Sequence, residues 1–398
     1  MPPGMITDDA RDGKGDMRTR VRAVLDSPRV RAESATIWAA AGTGTGDLPH
    51  ADATYRALGG AGLLAPHWPR AYGGLDADSY ASATVAEELA LHGVPDSARV
   101  NTVDNAGATL LAAGTPEQRA RHLPAMARGE RVFAVLYTEP EAGSDLAALT
   151  TEAHPTRHGW LLNGVKSWNA RTSSATFGIC AARTPGAGNR YAEISLFIVP
   201  LRAPGVHVEP IATINPELFF HVRLDDVALP PDALVGRPGQ GWALLSRALG
   251  LERTGICFAG RAVRWLDRLI AALRAQDRLP AAEARHELRR LDAEVRSCRL
   301  LAWRAVRDVA EQRPDASTAA AAKWWASELA QRVARSAWEL LGPPPAAGVG
   351  HAQFPDLLLA VREAPGLTLA AGASEVLLNT LAADLLDGGG DPWEREVS

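Results

Sequence analysis

VFAVLYT (132–138), GWLLNGVKSW (159–168), FGICAART (177–184), AEISLFIV (192–199) and FFHVRLDDVAL (219–229) decide how this chain reads. Each is a short run rich in Val, Ile, Leu and Phe, closed off by Gly, Pro or Asn. That is the pattern of strands in an antiparallel sheet. On both sides the period changes. Upstream, SYASATVAEELALH (79–92) carries apolar residues at helical spacing, and residues 117–128 do the same after the start signal Thr115-Pro116. Residues 59–76, with Pro66, Pro69 and several glycines, read as a structured loop between helices.

Downstream, long helical segments are expected over 243–275, 281–312, 316–341 and 374–387, with Pro280 in the first turn and GPPPAAGVG (342–350) as a break before the last. Four such helices on short connections read as an antiparallel bundle. The fold class is therefore α+β and multidomain: an N-terminal all-α domain (1–130), a middle antiparallel β-domain (131–236) and a C-terminal four-helix bundle (237–398). A chain of 398 residues exceeds what one core normally serves, in keeping with three domains. No internal repeat is present.

Composition narrows the function by exclusion. Hydrophobic residues make up 46% and charged residues 22%, the net charge is −4, and Lys and Arg are scattered. This favours neither a nucleic-acid nor a membrane-surface partner. Cys180, Cys257 and Cys298 are odd in number and lack metal-ligand spacing, which argues against a disulfide framework or a zinc site. The first twenty residues are polar and no apolar run reaches the ~18 residues of a membrane span, so a cytoplasmic enzyme is expected. His154 and His158 have ligand-like separation, but Pro155 and the lack of a third ligand make them a solvated loop between strands. Cys180 reads as core, RRLDAEVRSCR (289–299) as the charged face of a bundle helix, and Trp324, Trp325 and Trp338 as packing between helices.

The block Leu136-Tyr-Thr-Glu-Pro-Glu-Ala-Gly-Ser-Asp145 resembles the flavin-binding signature of acyl-CoA dehydrogenases. NGVKSW (163–168) is similar to the family strand that ends in a tryptophan beside the flavin, and LDDVALPPDALVGRPGQGW (224–242) to its exit from the β-domain. APHWPRAYGGL (65–75) and GTPEQRARHLPAMARGE (114–130) resemble its N-terminal domain. The resemblance spans nearly the whole chain. It implies FAD, held by Leu136, Thr138, Gly143 and Ser144 with Trp168 as the aromatic wall, and Ser144 also near the substrate. Ala170 stands where a hydroxyl often reaches the flavin, so that side-chain contact is missing.

Family members take two hydrogens from the α and β carbons of an acyl thioester. A carboxylate accepts the α-proton while backbone N–H polarises the carbonyl. The usual carboxylate position is Ala371 here, which offers only its backbone amide. Leu251-Glu252-Arg253 stands where a minority of the family carries the base, which makes Glu252 the candidate base and a substrate contact. The other reading of Glu252 is a helix-start glutamate. Two elements that family members lend across a dimer are eroded. Arg-x-x-Phe-Gly is not found between 273 and 287, and Gln-x-x-Gly-Gly appears as Glu339-Leu-Leu-Gly342-Pro343. Three readings follow. The first is dehydrogenation of acyl-CoA or a carrier-protein-bound acyl group, in a homodimer or homotetramer, with electrons passing to an electron-accepting flavoprotein or to oxygen. The second is a flavin monooxygenase on the same scaffold. The third is a non-catalytic subunit of a hetero-oligomer.

Overall fold

The computed structural model describes residues 14–42, 48–186, 188–252, 254–275, 281–342 and 355–387. Pro280, the break at 343–350 and Arg253 lie outside them.

The N-terminal part is helical: α1 (Lys14–Leu25), α2 (Pro28–Gly42), α3 (Asp52–Gly60), α4 (Ser79–His92), a short α5 (Ser97–Arg99) that continues as a π-helical stretch (Val100–Gly107), α6 (Ala108–Ala113) and α7 (Pro116–Ala127). The start signal before α7 is a full capping box. Thr115 Oγ1 accepts from Gln118 N at 3.2 Å and Gln118 Oε1 from Thr115 N at 2.9 Å. The π stretch is the element that sequence periodicity does not reveal. It ends against Trp68, whose ring lies where any Cβ at Gly107 would fall.

The middle region holds β1 (Phe133–Leu136), β2 (Glu152–Thr156), β3 (Gly159–Ala170), β4 (Phe177–Arg183), β5 (Ile194–Pro200), β6 (Val206–Ile211), β7 (Phe219–Leu229) and β8 (Leu234–Val235). They form one sheet in the order β6-β7-β3-β2-β4-β5-β8, with β1 beside β4. The main ladders are antiparallel as expected, but β1 runs parallel to β4. The whole β2–β3 hairpin intervenes between these two strands, and that long connection permits parallel pairing. The expected loop at His154 and Pro155 is instead the end of β2 and its turn into β3. β2 meets β4 only at Glu152↔Arg183, so beyond that point one flank is open and a proline is tolerated.

The C-terminal part comprises α8 (Gly241–Glu252), α9 (Ile256–Ala275), α10 (Ala282–Ala310), α11 (Ala316–Leu341), α12 (Pro355–Leu367) and α13 (Ser374–Asp387). The segment expected as one helix over 243–275 is two. Gly255 (φ +74°) breaks it, and a Cβ there would stand 2.9 Å from the Ala322 backbone, so close approach to α11 demands glycine. The bundle core is built by α9, α10 and α11 with α12 as fourth member, while the expected 374–387 helix packs on α11 from outside. Trp325 packs on that core, whereas Trp338 is 42% exposed instead of packed between helices.

Buried ion pairs join the helical parts. The Glu87 carboxylate on α4, fully buried, accepts from Arg18 (2.7 Å), Arg299 (2.7 and 2.9 Å) and Trp303 Nε1 (2.9 Å). All three cysteines are buried free thiols, Cys180 within the sheet core. No described helix is long and apolar enough to cross a membrane.

Candidate active site

A cleft of about 1600 Å³ opens where the three regions meet. Its walls come from the end of β1 and the loop after it, the end of β3, the π stretch, α8, α9, α12 and the turn before α13.

The first wall starts at β1. Its alternation sends Val135 and Tyr137 toward the helical side and Ala134 and Leu136 into the sheet core. Leu136 is therefore fully buried, and its side chain does not reach the cleft. Thr138 does line it, and its carbonyl accepts from Ser167 N (2.9 Å). Glu139 turns back under the loop. Its carboxylate accepts from Thr150 N (2.6 Å), Thr150 Oγ1 (2.7 Å), Thr151 N (2.8 Å) and Lys166 Nζ (2.7 Å), with both ionic partners buried. Burial alone would raise this carboxyl. The charge and hydrogen bond of Lys166, together with the hydrogen bonds from Thr151 and Thr150, outweigh burial and bring it down to about 2. The pair anchors a tight turn, Glu139↔Ala142, and leaves Gly143 and Ser144 on the cleft rim.

Two features of this wall fit a bound flavin. A Cβ at Gly143 would meet nothing within 4 Å, and its φ is not positive, so neither backbone nor packing within the chain requires glycine there. The missing side chain leaves room there for a group approaching from the cleft. Trp168 is held at φ +61° by a bulge between β3 and β7, its ring 52% exposed toward the cleft and edge-on to Phe219 at 6.1 Å. A large ring presented to solvent from a strained backbone is a wall built for something to lie against. Ala170 lines the cleft as well, and its carbonyl accepts from Asn101 Nδ2 (3.2 Å) of the π stretch.

The opposite wall carries Ala371 at φ +57° and Gly372 at φ +97°, in the turn between α12 and α13. Among the described residues the Ala371 N–H donates to no acceptor. Lys323, fully buried on α11, clamps this turn by donating to Leu367 O (2.9 Å) and Gly372 O (2.8 Å). Ser374 Oγ donates to Glu328 Oε1 (2.6 Å). Glu252 is the last residue of α8, whose Trp242, Leu245, Ser246 and Arg247 line the cleft. Its side chain lies outside the described residues. Gly342 ends α11 (φ +80°) and is not among the cleft residues.

Sequence reading missed Lys323, Arg261 and Glu363. Lys323 had a signal: it is the one charge in the run ASTAAAAKWWAS (316–327). Arg261 and Glu363 alternate with other charges and had none.

The acyl-CoA dehydrogenase N-terminal, middle and C-terminal domains match residues 16–130, 134–227 and 239–386. The acyl-CoA dehydrogenase FadE29 of Mycobacterium tuberculosis is 30% identical over 344 residues, covering 83% of this chain and 87% of its own. IpdE1 of the same organism is 30% identical over 293 residues, covering 72% and 75%. FadE34, also from that organism, is 39% identical over 206 residues, but the match covers 50% of this chain and only 28% of FadE34. Among solved structures, the Tcur3481-Tcur3483 steroid ACAD superposes with a TM-score of 0.81 at 27% identity, covering 95% and 96% of the two chains. The ChsE4-ChsE5 complex from M. tuberculosis does so with 0.81 at 25%, covering 97% and 99%. Fold and cleft define a flavin oxidoreductase. This chain belongs to the acyl-CoA dehydrogenase family, FAD-dependent enzymes acting on the CH–CH bond of acyl-CoA.

Proposed function

We propose that this protein removes the α and β hydrogens of an acyl thioester, with Glu252 as the base. The observation that carries this reading is that an open wall (Thr138, Gly143, Ser144, Trp168) and a free, clamped N–H at Ala371 line the same cleft. When bound, FAD supplies the acceptor for the β-hydrogen and its electron pair. The chain's own residues do the rest. The Ala371 N–H, oriented by the Lys323 clamp, donates to the thioester carbonyl as charge builds on it, and so lowers the α-proton pKa. Glu252 takes that proton, because Ala371 has no carboxylate to do so. Trp168 and the apolar parts of α8 and α9 exclude water.

Glu252→Gln preserves volume and removes basicity, so flavin reduction by a competent thioester should fall by ~10²-fold or more. FAD uptake should be unaffected, and Ala371→Glu in that background should restore part of the rate. An unchanged rate in Glu252→Gln removes Glu252 from the mechanism.

The substrate is carried as a CoA or carrier-protein thioester, and electrons leave to an electron-accepting flavoprotein. Uptake by oxygen with substrate oxygenation would mark the monooxygenase instead. Exposed apolar residues on the bundle, Leu300 of α10, Trp338 of α11 and Leu378 and Leu386 of α13, support assembly into a homodimer or homotetramer through the bundle. A second reading has a specific basis: two similar structures, the Tcur3481-Tcur3483 steroid ACAD and the ChsE4-ChsE5 complex, are named for two proteins each. Together with Ala371 and the Pro343 departure, this supports a subunit whose partner chain completes the chemistry. Light scattering of the purified chain alone and with a co-expressed relative separates the two.

A further inference from the structure

Where α9 and α12 face the corner before α5, the cleft wall is charged. Arg261 donates through Nε to Glu363 Oε1 (2.8 Å) and through Nη2 to Asp96 Oδ1 (2.5 Å). Its Nη1 meets no acceptor among the described residues, and the second oxygen of Glu363 meets no donor. Arg261 and Glu363 both line the cleft, with 18% and 24% of their side chains exposed there. Asp96 is nine-tenths buried, and its Oδ2 likewise finds no partner. Nearby, Glu217 pairs with Arg171 and Ser97. Asp96, Glu217 and Glu363 thus lie against Arg171 and Arg261, with Arg264 of α9 and Arg362 of α12 also on the cleft wall.

We propose that Arg261 and Glu363 form a polar subsite that reads a neutral oxygen, a hydroxyl or a ketone, on the acyl group beyond its β-carbon. The proposal rests on the acyl-thioester reading above and names its substrate class. A plain hydrocarbon chain laid here would strip water from Arg261 Nη1 and from Glu363 and return nothing. An acyl carboxylate set against the open oxygen of Glu363 would meet like charge, and a cation set against Nη1 would meet the Arg261 guanidinium. A neutral oxygen suits both open positions. It accepts from Nη1, and a hydroxyl also donates to the free oxygen of Glu363. Burial opposes the charge on Arg261, but Asp96 and Glu363 hold the guanidinium well above its ordinary value, so it remains a donor throughout.

The test is calorimetric binding of octanoyl-CoA and of its hydroxy and keto derivatives oxygenated beyond the β-carbon, to the FAD-loaded protein. Anaerobic flavin bleaching by the same set follows. At least one oxygenated chain should bind about tenfold or more tightly than octanoyl-CoA. Arg261→Lys keeps the charge that holds Asp96 but loses the planar fork, and should collapse that ratio. Glu363→Gln keeps the bond to Arg261, so the fold persists; it should weaken the hydroxy compounds more than the keto ones. Melting curves confirm that both variants are folded. Equal affinities in the wild type, or a preference that survives both substitutions, overturns the subsite. If no member of the set binds or bleaches, the acyl-thioester reading falls with it. If all bleach without discrimination, that reading stands and the subsite alone is wrong.

Discussion

Glu139→Gln perturbs the support beneath the flavin wall without touching the cleft. The carboxylate takes four hydrogen bonds, one from the buried Lys166 ammonium. Its pKa stands at about 2 against an ordinary 4.5. At ~1.4 kcal/mol per unit that depression corresponds to about 3 kcal/mol. Mutation also leaves Lys166 buried without a counter-charge, a loss of ~3–5 kcal/mol by comparison with other buried pairs. The two figures describe the same interaction and agree. A folded-state pKa below the unfolded one stabilises above pH 4.5, and this contribution disappears as pH falls from 4.5 toward about 2. Wild type should therefore lose stability through that window, and Glu139→Gln should be less stable at neutral pH with a flatter acid limb. Tryptophan-fluorescence melts across pH and FAD titration at neutral pH read both effects. The loop 138–144 loses its anchor, so FAD affinity should fall along with the melting temperature. The double variant Glu139→Gln/Lys166→Met should cost less than the sum of the single variants. A Glu139→Gln protein that melts with wild type and binds FAD equally well would refute the reasoning.

Other outcomes follow from the same geometry. Gly143→Val, whose Cβ meets nothing within the chain, should fold and melt as wild type yet lose FAD uptake on titration. Lys323→Met removes the donors to Leu367 O and Gly372 O; steady-state assays should show a lower kcat with FAD content retained, at a stability loss of ~1–3 kcal/mol for each bond to the charged group. Gly255→Ala forces a Cβ to 2.9 Å from the Ala322 backbone at φ +74°, and thermal melts should show a loss of ~1–3 kcal/mol.

The sequence carried the element types where a period was sustained. The strands from Phe177 to Arg183 and Ile194 to Pro200 stand out because both faces are buried, and α7 because Thr115 and Gln118 cap it. The break at Gly255 was not visible because helical periodicity continues on both sides of it; only the approach of α11 forbids a side chain there. The same holds for the site. Thr138 and Ser144 stood out within one contiguous block, and Trp168 at the end of a second, NGVKSW (163–168). Arg261, Glu363 and Asp96, by contrast, are 165 residues apart at the widest contact, and a single helix face gives no hint of their meeting. Leu136 lies in the same block as Thr138, but strand alternation puts its side chain in the sheet core, one residue from the cleft-lining Val135 and Tyr137.

The central claim is acyl-thioester dehydrogenation by the FAD-loaded chain. Its most direct test is an anaerobic titration of the purified flavoprotein with acyl-CoA thioesters, following the flavin absorbance band and the mass of the recovered thioester. The account predicts bleaching by at least one thioester, with a product lighter by two hydrogens. Persistence of the oxidised flavin band with every thioester, together with recovery of each unchanged, would contradict it.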